Sequence, residues 1–485
     1  MFTSYSAWEE LVRENRLLRD NFNRAREENV RLLEDYRNLA RELAREIGKR
    51  RTKQKTLGYK LALLEQKLRG LKDENPPPVE PPFRPAENDF ARYLLEHEVN
   101  RMALDGLRFV NALPFRPCTG PASGSDPEET SLVHWVLPDF GPGAGGHQTI
   151  FRMVHALEQG GYRQKIWIYG PTRYAGPAAA QEVIRNSFAP IAAEVGFLSP
   201  ENVETVSGAG AVATDRWSAY FVRAIGQVRK RFYFVQDWEP DFYAAGSEAL
   251  LSRATYRFGF IPITAGEWLK ERLVEEGFVR EGDPLYSFPL AVDHTIYTPP
   301  EENGTNQNPP RIAFYARMNT PRRSVELGLL ALEKLAERGV DFVVDLFGDP
   351  ASAEWGCRFP AVHHGIVTAQ QLAGIYRGAA LGLCLSSTNY SLIPLEMMAS
   401  GCPVVELDLP CTRRIFPESV ISRGQPSPEG LAATLQSLLE DPARRAAQRE
   451  AGLAHARSFA WEKSAARVKE ALDRELTWHL GSPDV

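Results

Sequence analysis

The sequence lacks the features that would place a chain across or outside a membrane. No apolar segment approaches the roughly 18 to 20 residues that a membrane-spanning helix requires. The first dozen residues contain no basic stretch followed by an apolar run, so we recognise no secretory signal. Cysteine is scarce, and no C-x-x-C pair occurs among Cys118, Cys357, Cys384, Cys402 and Cys411. This usage fits reduced thiols in a cytoplasmic protein and does not fit a structural zinc site.

The chain is too long for one ordinary domain. Its 485 residues, 43% hydrophobic and 25% charged, predict two or three globular domains. The net charge of −5 is uneven, because residues 1–72 hold 18 Lys and Arg against 11 Asp and Glu. Such a basic arm can attract nucleic acid or an anionic membrane, or it can be a helix with basic outer faces. We expect no nucleic-acid partner and keep open a peripheral contact with the inner face of a membrane.

Residues 1–72 have the pattern of a coiled coil. Asn15 and Asn29 share one seam position, and buried asparagines of this kind fix register and oligomer number. The pattern predicts a homo-oligomer through residues 11–71, and the alternative is a helix that folds back on its own subunit. The seam residues recur at spacings of four and three: Leu11, Asn15, Leu18, Phe22, Ala25, Asn29, Leu32, Tyr36, Leu39 and Leu43.

The helical pattern is interrupted once before it ends. The segment GKRRTKQKT at 48–56 has no apolar seam, and the leucines that follow change phase, which indicates a stutter or a hairpin. The acidic, proline-rich segment 73–88 stops the helix and is typical of a semi-rigid linker.

From about residue 131, short apolar strands alternate with amphipathic helices. Two series of this kind predict two doubly wound, Rossmann-like α/β domains with parallel sheets. Ligands of such folds bind at the C-terminal ends of the strands, so we expect the site in the cleft between the domains. The predicted strands are Leu132–Leu137, Lys165–Tyr169, Arg311–Tyr315, Phe342–Phe347 and Leu381–Leu385, and the predicted helices are 147–159, 323–337 and 369–377.

A glycine-rich turn follows the first strand, in DFGPGAGGHQTIF. Its glycines let the backbone approach a ligand, and the next helix offers free N–H groups to an anion. The spacing is not that of dinucleotide-binding proteins. Gly145 and Gly146 are therefore candidate phosphate contacts, although purely structural turns of this kind are equally common.

Three arginines follow the first strand of the second series, in FYARMNTPRRSVEL. Arg317 ends the strand, and Arg322 and Arg323 precede the helix. Guanidinium groups that converge beside a helix N-terminus form a diphosphate clamp, because arginine is always charged and binds in a bidentate way. The alternative is a set of surface arginines on a loop.

The most specific motif is LCLSSTNYSLIPLEMMASGCPVVELD. A buried strand leads into a polar loop and then a short helix that carries Glu396. Because Leu395, Met397 and Met398 beside it are apolar, this carboxylate requires a ligand or a partner.

The order of these motifs, over residues 131–475, resembles that of the retaining GT-B glycosyltransferases of family four. Further matching segments are FPLAVDHTIYTP at 288–299, G-D at 348–349 and HHGIVTAQQLAGIY at 363–376. FAWEKSAARVKEAL at 459–472 is similar to the family's final helix, which crosses back to the N-terminal domain. Within the family, FYFVQDWEPDFY at 232–243 looks most like bacterial rhamnosyltransferases of S-layer and O-antigen-type glycan assembly.

The resemblance implies a GT-B fold, with an acceptor-side domain at 89–298, a donor-side domain at 299–458 and the crossing helix within 459–485. It implies retaining transfer of a sugar, L-rhamnose from dTDP-β-L-rhamnose, to a glycan or lipid-linked glycan acceptor. The alternatives are a UDP- or GDP-hexose donor, and a non-catalytic GT-B scaffold within an assembly complex.

One position departs from the family pattern. The family carries two glutamates separated by seven residues; Glu396 corresponds to the second, and Thr388 stands in place of the first. The first glutamate ordinarily contacts the transferred hexose. Its loss disfavours glucose or mannose and suits a deoxysugar, and an inactive site is the competing explanation.

The resemblance also implies roles for single residues. Arg317, with Arg322 or Arg323, would neutralise the departing diphosphate. Backbone N–H groups at Ser391 and Leu392 would hold the phosphates. The nucleoside would be bound by Gly348, Ile366, Val367 and Glu396.

Asp237 is the candidate on the acceptor side, with Trp238 beside it. Its carboxylate could orient or deprotonate the acceptor hydroxyl. It could instead cap a turn before Pro240, or form a metal-binding acidic pair with Glu239. No D-x-D motif occurs in the chain, so we expect no metal and no cofactor.

Overall fold

A computed structural model describes residues 113–122, 126, 130–141, 143, 145–301 and 308–476. These residues all belong to one compact unit, Leu94–Val485. The coiled coil predicted at 1–72, its oligomer contact through 11–71 and the linker at 73–88 lie outside the described residues. Within the described ranges, no helix is both long and apolar enough to span a bilayer.

The first α/β domain is built on seven strands: β1 (Val133–Leu137), β2 (Gln164–Tyr169), β3 (Glu194–Leu198), β4 (Ser207–Ala213), β5 (Gln227–Val235), β6 (Ile261–Ala265) and β7 (Tyr286–Phe288). They form one parallel sheet in the order β3-β2-β1-β4-β5-β6-β7. Its helices are α1 (Gly145–Gln159), α2 (Pro177–Ser187), α3 (Arg216–Ala224), α4 (Ser247–Thr255) and α5 (Glu267–Glu275). The chain starts near the centre of the sheet and builds outward in both directions, which is the doubly wound arrangement.

The local sequence explains these elements. β1 and β6 are buried on both faces, which is why they are apolar without alternation. Asp215 starts α3 with a reciprocal cap: its carboxylate accepts the Ser218 N–H at 3.0 Å, and the Ser218 hydroxyl accepts the Asp215 N–H at 2.9 Å. The carboxyl ends of parallel strands meet at one edge, so the segments after β1 and β5 come together there.

The second domain has six strands: β8 (Arg311–Tyr315), β9 (Val343–Phe347), β10 (Ala361–Gly365), β11 (Leu381–Leu383), β12 (Val404–Leu407) and β13 (Ile421–Gly424). These strands are also parallel, in the order β10-β9-β8-β11-β12-β13. The helices are α6 (Val325–Glu337), α7 (Ala369–Gly378), α8 (Leu392–Ala399), α9 (Pro410–Ile415), α10 (Pro428–Glu440) and α11 (Pro442–Ala456). The prediction of two parallel-sheet, Rossmann-like domains is confirmed.

The last described helix, α12 (Trp461–Leu476), packs against the first domain. The Tyr162 hydroxyl bonds to Asp473 at 2.6 Å, and the Tyr286 hydroxyl bonds to Glu475 at 2.8 Å. The Ser464 hydroxyl donates to the Pro289 carbonyl at 2.7 Å. The chain therefore crosses between the domains a second time.

The predicted strand and helix boundaries lie within two residues of the observed ones, and two of the differences have a structural cause. The helix expected at 323–337 begins at Val325, because Pro321–Arg323 forms a 3-10 turn and Ser324 adopts a left-handed φ of 42°. β11 ends at Leu383 rather than Leu385, where the chain turns into the polar loop.

Candidate functional site

The two domains contact each other through segments that follow the carboxyl ends of their strands, and we call this junction the cleft. From the first domain, Asp237 follows β5; from the second, Arg322 follows β8, and its Nε lies 3.1 Å from the Asp237 Oδ2. The polar loop after β11 also spans the cleft, because the Asn389 side-chain amide donates to the carbonyls of Gln236 at 3.0 Å and Ala265 at 3.3 Å. The predicted location of the site is therefore a real junction between the domains.

Asp237 is a half-buried carboxylate among positive charges. Burial raises its pKa, while Arg322, the adjacent Thr388 hydroxyl and Arg323 oppose the rise. The Trp238 N–H donates to its Oδ1 at 2.8 Å. The net effect is a pKa above the ordinary value, so this carboxyl group holds a proton more tightly than an exposed aspartate does.

The guanidinium of Arg322 lies close to two others. Burial lowers its pKa, Asp237 opposes this, and the charges of Arg323 and Arg317 lower it further. The guanidinium stacks 4.3 Å from the centre of the Phe242 ring. The charges of Arg317, Arg322 and Arg323 lie close together, and Asp237 contacts only Arg322 among them, so the group keeps capacity for an anion.

The other two arginines differ in exposure. Arg317 remains partly exposed, and its Nε donates to Asn319 Oδ1 at 3.2 Å. Arg323 is buried, with its Nη1 donating to the Ser386 hydroxyl at 3.1 Å. Arg317 and Arg322 thus keep partly exposed side chains, whereas that of Arg323 is buried.

Glu396 lies on α8, where burial raises its pKa to about 7. The Tyr297 and Tyr376 hydroxyls and the positive charge of Arg152 oppose this rise. The Glu396 Oε2 has no hydrogen-bond partner in the described part of the chain. A buried acceptor left open in this way is available to a donor such as a sugar hydroxyl.

The first N–H groups of α8 point away from the helical ladder, as at any helix N-terminus. Ser391 immediately precedes the helix and Leu392 begins it, and the Ser391 side chain makes no capping bond. This helix end follows the loop that spans the cleft, so the predicted phosphate contacts and the arginines come from neighbouring segments of the same domain.

The glycine turn faces the same junction from the first domain. A Cβ added at Gly146 would lie 3.6 Å from the Gln236 side chain, one residue before Asp237, and Gly145 begins α1. The structure therefore brings this turn beside the acceptor candidate.

The predicted nucleoside contacts lie at the ends of β9 and β10. The Gly348 N–H donates to the Gly365 carbonyl at 2.8 Å, and both residues have left-handed backbones. A Cβ at Gly348 would meet the Tyr315 ring at 2.8 Å, so a side chain does not fit there. Ile366 is 66% exposed, with Val367 half-buried beside it, and such an apolar edge suits a flat base.

Trp238 departs from its predicted role. Its indole is fully buried, stacks on Tyr256 at 5.1 Å and carries the Arg272 guanidinium at 4.4 Å. The side chain supports the acceptor-side loop from within and does not face the cleft.

The predicted acidic pair, Asp237 and Glu239, does not come together. Glu239 Oε2 accepts the Arg216 N–H at 2.8 Å, whereas Asp237 contacts Arg322. Among the residues that the structure describes, no cluster of three or more His, Cys, Asp or Glu could hold a metal.

Two residues of this region were not singled out from the sequence. Arg152 of α1 pairs with Asp293 at 2.6 Å and lies over the Trp461 ring at 5.2 Å, and no sequence pattern marks it. Glu406 is a buried acid on β12, and its place within the apolar run VVEL was a signal that could have identified it.

Two Rossmann-like domains that face each other across a cleft, with a final helix returning to the first, define the GT-B fold. Solved structures with this fold agree. Sucrose-phosphate synthase from Thermosynechococcus elongatus covers 72% of this chain and 99% of its own, at a TM-score of 0.55 and 14% identity. HepE of Anabaena, in complex with UDP and glucose, covers 71% of this chain and 100% of its own, at a TM-score of 0.55 and 12% identity. These identities establish the fold alone.

Sequence comparisons give a finer match. A family model described as WsaF, C-terminal domain, matches residues 310–436. The chain is 32% identical to the O-antigen biosynthesis protein RfbC of Myxococcus xanthus over 348 residues, 70% of this chain and 26% of that protein. It is also 32% identical over 124 residues to a D-inositol 3-phosphate glycosyltransferase of Arthrobacter, 25% of this chain and 29% of that protein. The chain thus spans less than a third of the length of these relatives.

Proposed function

We propose that this protein is a glycosyltransferase that moves a hexosyl residue from a nucleoside-diphosphate sugar to a glycan acceptor. The observation that carries the proposal is the cleft pair of Arg322 and Asp237, 3.1 Å apart. A cation suited to a leaving diphosphate and a carboxylate suited to an acceptor hydroxyl stand where the two substrates of such a reaction must meet.

The nucleotide would lie on the second domain. Arg317 and Arg322 would neutralise the diphosphate together with the N–H groups at Ser391 and Leu392. The open Oε2 of Glu396 would accept a hydroxyl of the nucleoside sugar, which in dTDP is the 3′-hydroxyl of deoxyribose. Gly348, Ile366 and Val367 would border the base.

The acceptor would approach from the first domain, with Asp237 against its hydroxyl. The likeness to the O-antigen biosynthesis protein RfbC over 70% of this chain supports a surface polysaccharide or glycoprotein glycan, free or lipid-linked. Assembly as a homo-oligomer and contact with a membrane face belong to the same proposal.

For the donor we propose dTDP-β-L-rhamnose, with retention of configuration. Thr388 supports a deoxysugar, because its uncharged hydroxyl lies beside Asp237 where the resemblance expects a carboxylate. A UDP-sugar is the second candidate, since the structurally similar HepE is solved with UDP and glucose. GDP-sugars and a non-catalytic scaffold are the remaining alternatives.

Thermal unfolding with dTDP, UDP or GDP tests this function. A ligand of the folded state stabilises it by RT ln(1 + [L]/Kd), or about 2.7 kcal/mol at a hundredfold excess over Kd. We expect dTDP to raise the melting temperature most. A second assay then measures the transfer of radiolabelled rhamnose from the donor to a glycan acceptor. A larger rise in melting temperature with UDP or GDP would mean that the donor is a UDP- or GDP-sugar. Stabilisation without transfer or donor hydrolysis would support the scaffold.

A further inference from the structure

Glu406 is a carboxylate beneath the cleft to which the proposed reaction gives no task. It lies on β12 and is only 1% exposed. An ionised carboxylate at such a depth is costly unless positive charge and hydrogen bonds compensate for its lost hydration. Its partners should therefore explain why the strand carries an acid.

Backbone donors occupy one of its oxygens. The Glu406 Oε1 accepts the Ser386 N–H and the Leu407 N–H, each at 2.9 Å. The Oε2 has no hydrogen-bond partner among the described residues. Burial raises the pKa of Glu406 to about 8, and the two N–H groups and the nearby positive charge of Arg323 oppose the rise. The carboxylate thus accepts a hydrogen bond from the loop after β11 and lies near the positive charge of the buried Arg323.

Ser386 links this contact to Arg323 and to the rest of the loop. Its hydroxyl accepts from Arg323 Nη1 at 3.1 Å and donates to the Asn389 carbonyl. The next residue, Ser387, donates its N–H at 3.0 Å and its hydroxyl at 3.1 Å to the Arg322 carbonyl. The loop and the arginine turn are therefore held against each other directly above Glu406.

We propose that Glu406 is a positioning residue that fixes the loop 386–389 and Arg323, so that Arg322 is presented to the diphosphate of the donor. This inference rests on the proposed function, because it assigns Arg322 to a diphosphate. Glutamine at 406 keeps an acceptor for the Ser386 N–H but removes the negative charge that Glu406 carries near Arg323 above its pKa of about 8, so binding is measured at pH 9.

Calorimetric titration of the full-length protein tests the proposal. The probes are whichever of dTDP, UDP and GDP binds the wild type best, and the matching nucleoside monophosphate. We expect Glu406→Gln to weaken diphosphate binding about tenfold, equivalent to about 1.4 kcal/mol, because the second phosphate loses an aligned cation. Monophosphate binding should change less than threefold. A general loss of structure would weaken both.

The matched control is Ser422→Ala. Ser422 is a buried hydroxyl on the neighbouring strand β13, bonded to Gln448 Oε1 at 2.7 Å rather than to the loop. The affinities of this variant for the nucleoside diphosphate and for the monophosphate should both stay within twofold of those of the wild type.

Ser386→Ala is the second variant and tests the next link of the same chain of contacts, from the loop to Arg323, if Glu406→Gln does not fold. It removes the hydroxyl between Arg323 and Asn389 but keeps the backbone N–H that Glu406 accepts, and we expect the same diphosphate-selective loss. Equal loss of both ligands, or unchanged affinity in a folded variant, overturns the inference. A wild type that binds none of the three diphosphates overturns the proposed function itself.

Discussion

The Arg322 guanidinium reaches across the cleft to the Asp237 carboxylate, with Nε and Oδ2 3.1 Å apart. Each residue supplies the other's counter-charge. A diphosphate that engages Arg322 therefore competes with Asp237 for the same cation, and Asp237 becomes more basic when the arginine is shared. Donor binding and acceptor activation are coupled through this pair in the proposed reaction.

Replacement of the two partners should have opposite effects on nucleotide binding. Arg322→Gln removes a cation and should weaken diphosphate affinity about tenfold or more. Asp237→Asn removes the competing anion, so diphosphate affinity should be unchanged or tighter while transfer falls at least about a hundredfold. Titration calorimetry and initial rates measure the two effects. Parallel loss of affinity in both variants would contradict the assignment.

Arg317→Ala should abolish transfer and leave the fold intact, because the side chain is partly exposed at a strand end. Loss of one charge-assisted contact to a departing diphosphate should cost on the order of 3 kcal/mol, or roughly a hundredfold in rate. The measurement is kcat, with circular dichroism as the control for folding. A folded variant within threefold of wild-type activity would remove Arg317 from the mechanism.

Glu396→Gln should weaken nucleotide binding more than it destabilises the protein, because a charged acceptor for the nucleoside sugar is replaced by a neutral one. Titration compares dTDP with the free base thymine. Because only dTDP carries the sugar, loss of a contact between Glu396 and the sugar should lower the affinity for dTDP and leave the affinity for thymine unchanged. Unchanged dTDP affinity with a lower melting temperature would make Glu396 structural.

The same variant should change the pH dependence of stability. Folding raises the pKa of Glu396 from 4.5 to about 7, so the folded state holds the proton more tightly. The contribution of this group is present below pH 4.5 and is lost as the pH rises through 7. Denaturant titrations at pH 5 and 8 should show a smaller fall in the free energy of unfolding for the variant. An equal fall in the free energy of unfolding for the variant and the wild type would mean that the Glu396 carboxylate is exposed to water.

Chelation should leave activity unchanged, because the proposed charge stabilisation comes from arginines and helix N–H groups. Asp237 and Glu239 also contact different partners. Rates with and without EDTA provide the measurement. Activity lost in EDTA and restored by Mg²⁺ or Mn²⁺ would require a metal-dependent mechanism.

Deletion of residues 1–72 should change the oligomeric state and preserve nucleotide binding. The heptad seam with Asn15 and Asn29 predicts a defined stoichiometry, and the cleft residues all lie beyond residue 130. Light scattering of both proteins measures their masses. Identical monomeric masses would mean that the predicted oligomer does not form.

The sequence predicted the two sheets because buried parallel strands are apolar and the helices between them are amphipathic. It also placed Asp237 after an apolar strand and Arg322 at the start of the helix that follows another strand, and parallel topology brings such segments to one edge. Their pairing could not be predicted, because it depends on how one domain sits against the other and no local pattern encodes that.

Burial was the second property that the sequence did not reveal. Arg322 and Arg323 are adjacent and chemically identical, yet Arg322 faces the cleft and Arg323 lies beneath it. The difference arises from the 3-10 turn at Pro321–Arg323 and from Ser386, which receives the Arg323 guanidinium. Trp238 was expected on the acceptor side beside Asp237, but its side chain is fully buried and packs against Tyr256.

The second crossing of the chain limits how the cleft can open. The Val292 N–H bonds to the Phe459 carbonyl at 3.2 Å, so both crossings run side by side. We expect the side-chain contact of Arg322 with Asp237 to open more readily than this backbone bond between the two crossings.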